Sequence, residues 1–136
     1  MYLIDTNICI YLIRQRDPQL SEKVQKYQPY EIGVSAITVA ELSYGVAKSK
    51  RLQQNREALQ NFLSAFEIVP FDDRDAEQFG ALRVWLERQG QPIGPYDLQI
   101  ASQALARRWT VVTNNVREFR RVPELSVENW SQRQPT

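Results

Sequence analysis

The stretch YLIDTNICIYLI, Tyr2 to Ile13, starts as a β-rich run over Tyr2 to Ile4 and turns apolar again from Ile8 to Ile13. Between the two runs lie Asp5, Thr6 and Asn7, residue types whose side chains cap helix N-termini. A strand that passes through a cap straight into a helix is the first half of a β-α-β unit, and the alternation continues outward. Pro18 and Ser21 open a short helix through about Tyr27, and Glu31 to Ser35 reads as a second strand. A helix from Thr38 to about Lys50 comes next, then one from about Gln53 to Phe66. In the latter, Ala58, Leu59, Phe62, Leu63 and Phe66 keep the spacing of one buried face. Ile68 to Phe71 is a third strand, and Pro70 bars it from the middle of a sheet. Asp72 and Asp73 cap a helix that reaches Arg88 and stops at Gly90. Beyond the turn-rich QPIGPY, Asp97 opens a helix to about Trp109. Thr110 to Thr113 is a fourth strand, and a turn at Asn114-Asn115 and a basic stretch lead to a last strand, Leu125 to Val127.

Strands separated by a dozen or more helical residues pair in parallel, with helices on both faces. The expected fold is therefore an α/β sandwich around a small, mainly parallel sheet of four to five strands. A chain of 136 residues, 43% of them hydrophobic, suits one domain over residues 1–130, with a frayed tail over 131–136. In such folds ligands bind at the carboxyl ends of the strands.

Composition removes several function classes. Seventeen Lys and Arg against 16 Asp and Glu give a net charge of +1, which by itself names no partner. The apolar run Ile8 to Ile13 is far short of the ~20 residues of a membrane span. MYLIDTN carries no cationic leader, so a soluble cytoplasmic protein without a membrane role is expected. The chain has no histidine, which excludes Ser-His and Cys-His nucleophiles, HExxH zinc sites and histidine-based ribonuclease chemistry. Its one cysteine, Cys9, lies in the apolar run and reads as core packing. Strong catalysis then falls to carboxylates with a hard metal ion.

Three carboxylates take comparable places. Asp5 follows the first strand, Glu41 lies in the first turn of the helix after the second, and Asp97 begins the helix before the fourth. Taken singly, each also reads as a helix cap, with Thr38-x-x-Glu41 forming a capping box. Taken together, and flanked by apolar residues, they would repel one another unless a cation neutralised them. Oxygen-only ligands select Mg2+, with Mn2+ as substitute. Such an ion opens a route to phosphodiester hydrolysis without histidine.

Four segments in order, MYLIDTNICIYL, SAITVAELSYGVAKS, QGQPIGPYDLQIASQA and VVTNNVREFRRV, span most of the chain. They resemble the successive motifs of the PIN-domain toxins of type II toxin–antitoxin systems, the VapC group, and within it the tRNA(fMet)-specific endonucleases. The resemblance implies a PIN-like three-layer α/β/α sandwich. It also implies a metal-dependent endoribonuclease, inhibited by a cognate VapB-type antitoxin and forming a homodimer. Asp5 and Asp97 would be the principal ligands and Glu41 a third, direct or through water. The wider superfamily carries a fourth acid in a TxD pattern. Here the pattern reads Thr113-Asn114-Asn115, so Asn115 stands in the acid's place with a carbonyl but no charge. One well-held ion is expected, with Thr6, Asn7 and Thr113 orienting ligands or water.

Of the 17 basic residues, 13 are Arg, the side chain suited to forked phosphate contacts. Arg107, Arg108, Arg117, Arg120 and Arg121, against only Glu118, form a basic patch expected near the acids, with a solvated surface as the other reading. Tyr96, beside Asp97, is placed either to stack on an unpaired base or to be buried in its loop. Tyr11, Tyr44, Leu59 and Phe62 are candidates for the core or for a groove taking an antitoxin helix. The rival in another class is a catalytically silent RNA-binding or adaptor module on the same fold. A haloacid-dehalogenase-type phosphatase would need an Asp where Asn7 stands.

Overall fold

A computed structural model describes residues 1–131. Five parallel strands form one sheet in the order β3-β2-β1-β4-β5: β1 (Tyr2–Ile4), β2 (Ile32–Ser35), β3 (Glu67–Val69), β4 (Thr110–Val112) and β5 (Ser126–Glu128). β1 pairs with both β2 and β4, so Ile4 lies between Val34 and Val112. Alternation along the strands feeds two cores. Leu3 and Val111 enter one with Leu82, Leu86, Ile100 and Phe119; Ile4 and Val112 enter the other with Ile8, Cys9, Leu20 and Val34. The result is the expected α/β/α sandwich. β3 lies at the sheet edge as expected, but it ends at Val69, so Pro70 stands just beyond the strand rather than inside it.

Most helices begin and end where capping chemistry directs. α1 (Thr6–Ile13) is capped by Asp5, α2 (Pro18–Gln25) by Asp17, and α5 (Asp73–Arg88) by Asp72, while Gly90 takes φ +67° just beyond α5. α4 (Leu52–Leu63) buries Leu59 and leaves Ala58 exposed, a narrower face than its periodicity suggests. Four expectations are corrected. α3 (Ala36–Ala47) starts before Thr38 because Ser35 caps it, accepting from the Ile37 N–H at 3.0 Å; the Thr38-x-x-Glu41 box does not form. α6 (Pro95–Arg107) is capped at Gly94, so Asp97 sits inside the first turn rather than at the cap. The basic stretch after β4 holds a one-turn helix, α7 (Val116–Phe119), too short to show any period. Ser131 is not frayed: it is buried and donates to Asp17 Oδ2. The rest of the expected tail, 132–136, lies outside the described residues. No helix among them is long and apolar enough to cross a membrane.

Candidate active site

Strand order reverses between β1 and β4, and a crevice opens at the carboxyl ends of strands on either side of such a reversal. Asp5 and Thr113 straddle it. Asp5 is 2% exposed, and its two oxygens are held separately. Oδ1 accepts from the Ile8 N–H at 3.0 Å as the α1 cap, and Oδ2 accepts from the Thr113 hydroxyl. Burial pushes the Asp5 carboxyl up to about 6. The bonds from Thr113, Ile8 and the Asn7 backbone oppose that rise, and the charge of Glu41 adds to it. Asn7 thus acts through its N–H, while its residue is exposed.

Glu41 lies in the second turn of α3, where Thr6 Oγ1 donates to its Oε1 at 2.8 Å. The Thr6 proton being spent there, Thr38 must donate to Thr6 across their 3.0 Å contact. Thr38, fully buried, is therefore a support for the acid and not a helix cap.

Asp97 is half-buried, and no donor among the described residues bonds its carboxylate. Burial, then the charges of Glu118, Asp5 and Glu41, push it up to about 7. Glu118, on α7, is the member of the cluster absent from the sequence candidates. Its Oε1 accepts from the Gly94 N–H at 2.8 Å, and its Oε2 from the Asn115 amide at 2.7 Å. The available signal was the spacing Asn115-x-x-Glu118, which one helical turn brings together.

Among the described residues, no three acidic or thiol groups form a closed metal clasp. The donor set still fits a hard divalent cation. All its donors are oxygens, Asp97 has three negative neighbours and no donor, and Mg2+ is characteristically held by one or two carboxylates with water completing the shell.

The PIN-domain family profile matches residues 2–125. The chain belongs to the PIN-domain family. It is 44% identical over 131 residues to ribonuclease VapC2 of Rickettsia felis, covering 96% of this chain and 98% of that one. It is 38% identical over 130 residues to the tRNA(fMet)-specific endonuclease VapC of Shigella flexneri, with the same coverage of 96% and 98%. Among solved structures, VapBC2 of Rickettsia felis bound to a fragment of its promoter DNA superposes with TM-score 0.90 at 43% identity, over 96% of this chain and 98% of that one. DNA-bound VapBC of Salmonella typhimurium gives 0.91 at 37%, over 95% and 97%.

In this PIN domain the basic patch is divided. Arg107 is 7% exposed at its side chain and ion-pairs with the buried Asp75 and, at 3.2 Å, with Asp72. It and Arg108, which caps the C-terminal end of α6, lie about 15 Å along the helix from Asp97 at 1.5 Å per residue. Neither is beside the acids, contrary to expectation, and Arg107 is a structural clasp. Arg117 and Arg120, on and just after α7, are exposed beside Glu118. Arg121 donates to the Pro92 carbonyl at 2.9 Å. Tyr96 is 54% exposed, so it is not buried in its loop. Of the groove candidates, Leu59 and Phe62 pack inward, and Tyr11 takes the Asn114 amide at 2.9 Å. Tyr44 is 66% exposed under the Lys48 ammonium.

Proposed function

We propose that the chain is the toxin of a VapBC toxin–antitoxin pair, a Mg2+-dependent endoribonuclease that accepts Mn2+ and cuts initiator tRNA in the anticodon loop, in the cytoplasm. The observation that carries this reading is the unbalanced Asp97, pressed by Glu118, Asp5 and Glu41 with no donor to answer them. The names borne by the Rickettsia felis and Shigella flexneri relatives support the ribonuclease activity and the tRNA substrate.

Asp5 and Asp97 are the residues that would hold the ion, with Glu41 ligating directly or through water. Bound there, the ion supplies Lewis acidity to the scissile phosphate and to the attacking water. The chain's own part is orientation. Ile8 and Thr113 fix the two oxygens of Asp5, and Thr6, braced by Thr38, fixes Glu41. Exposed Tyr96 offers a face on which an unpaired base stacks, and Arg117 and Arg120 meet the backbone phosphates. The partners are a cognate VapB-type antitoxin and a second copy of the chain.

Sequencing RNA ends after brief induction tests this directly. Wild type should yield one dominant new end within the anticodon loop of initiator tRNA, and Asp5→Asn none. Equal cleavage by the variant, or by wild type in excess EDTA, would overturn the mechanism. RNA binding without cleavage under every divalent ion would favour the silent adaptor.

A further inference from the structure

We infer that Asn115 and Glu118 form a positioning latch that holds the N-terminus of α6, and with it Asp97. The inference rests on the reading of Asp5 and Asp97 as ligands. Its first support is what Glu118 spans: one oxygen accepts from the Gly94 N–H at the start of α6 and the other from the Asn115 amide at the start of α7. Gly94 is the cap residue of α6 and has no side chain with which to secure that end. Glu118 reaches across from α7 and secures it, three residues ahead of Asp97.

The second support is continuity. The Asn115 N–H donates to Thr113 Oγ1 at 2.8 Å, and the Thr113 hydroxyl donates to Asp5 Oδ2. One hydrogen-bonded path therefore runs from Gly94 through Glu118, Asn115 and Thr113 to Asp5, joining the supports of both principal acids. The third support is the neutrality of Asn115. Its amide stands 2.7 Å from a carboxylate oxygen, where an acid would set two negative charges in contact. With Glu118 recruited from the next turn, the position after β4 requires a donor. Glu118 contributes negative charge felt by Asp97 without giving up its hydrogen bonds.

The latch and a ligand role predict opposite orders of effect. Mn2+ affinity is measured by calorimetric titration of the full-length chain carrying Glu118→Gln, Glu118→Ala or Asn115→Asp, and protection of the Gly94 amide by hydrogen exchange in EDTA. Glu118→Ala should lose Gly94 protection and weaken Mn2+ binding roughly 10–100-fold, the scale seen when a ligand's support is removed. Glu118→Gln should keep both within a fewfold: its carbonyl accepts from Gly94, and its NH2 donates to the Asn115 carbonyl once that amide turns over. Asn115→Asp should weaken binding. A Gln variant as impaired in Mn2+ affinity as the Ala variant, or an Asp variant that binds Mn2+ more tightly than wild type, would overturn the latch. Gly94 protection indifferent to Glu118→Ala would overturn it too. If wild type bound no divalent ion, the proposed function would fall by itself, and the exchange data would still judge the latch.

Discussion

The two ends of α6 handle charge in opposite ways. At the C-terminal end, Arg107 is enclosed with Asp75 and Asp72, donates also to the Gln103 and Pro70 carbonyls, and lies over the Trp109 ring. At the N-terminal end, Asp97 faces three carboxylates and accepts from no donor among the described residues. A structural element balances its buried charge because an unpaired charge is costly. A site that is to attract a cation keeps an imbalance. Charge balance, more than charge density, separates the clasp from the candidate active site.

Substitutions at the two ends should therefore act in opposite directions. The largest effect is expected from Asp97→Asn. RNA cleavage should fall by on the order of a thousandfold or more, the scale of several kcal/mol of transition-state charge stabilisation. The same variant should melt no lower than wild type in EDTA at pH 8, since the change removes repulsion. A lower melting temperature would mean that Asp97 is a structural group after all. Arg107→Ala is next. It strands the fully buried Asp75, at a cost of about 3 kcal/mol read from urea denaturation. Cleavage per folded molecule should barely change, because the clasp is remote from the acids. A large loss of activity with unchanged stability would return Arg107 to the RNA-binding surface.

Much of this contrast was legible in the sequence, and the exceptions have physical causes. Asp5 and Asp72 announced helix starts because capping is local chemistry, and Pro70 announced an edge strand because a missing N–H is an intrinsic property. The three acids could be placed at the carboxyl ends of strands because parallel crossovers fix which end of each connection lies there. Local patterns could not choose between Ser35 and Thr38 as caps, since both residue types cap equally well. Arg107 was misplaced for a different reason. Its partners lie 32 and 35 residues upstream, and charge counting within a window cannot see them. Glu118 was hidden by its neighbours: among Arg117, Arg120 and Arg121 it reads as a stray counter-charge until α7 turns it towards Gly94.

The smallest effect is a pH dependence of stability, and its sign follows from the same imbalance. Asp5 at about 6 and Asp97 at about 7 both stand above the 3.8 of an unfolded carboxylate. The folded state therefore binds more protons than the unfolded chain across that interval, and stability must fall as pH rises. The contribution of these two groups is fully present below about pH 4 and is lost as pH passes through 6 and then 7. Ordinary capping or salt-bridged acids behave in the reverse manner, gaining stability with pH; Asp72, held below the usual carboxylate range, belongs to that class. Melting curves in EDTA between pH 4 and 8 should show a decline on the alkaline side that Asp97→Asn reduces. Saturating Mn2+ or Mg2+ should remove it, because a bound cation stabilises the ionised carboxylates in the folded state alone. The divalent ion should raise the melting temperature more at pH 8 than at pH 5. An equal rise at both pH values would mean that the ion binds somewhere other than these acids.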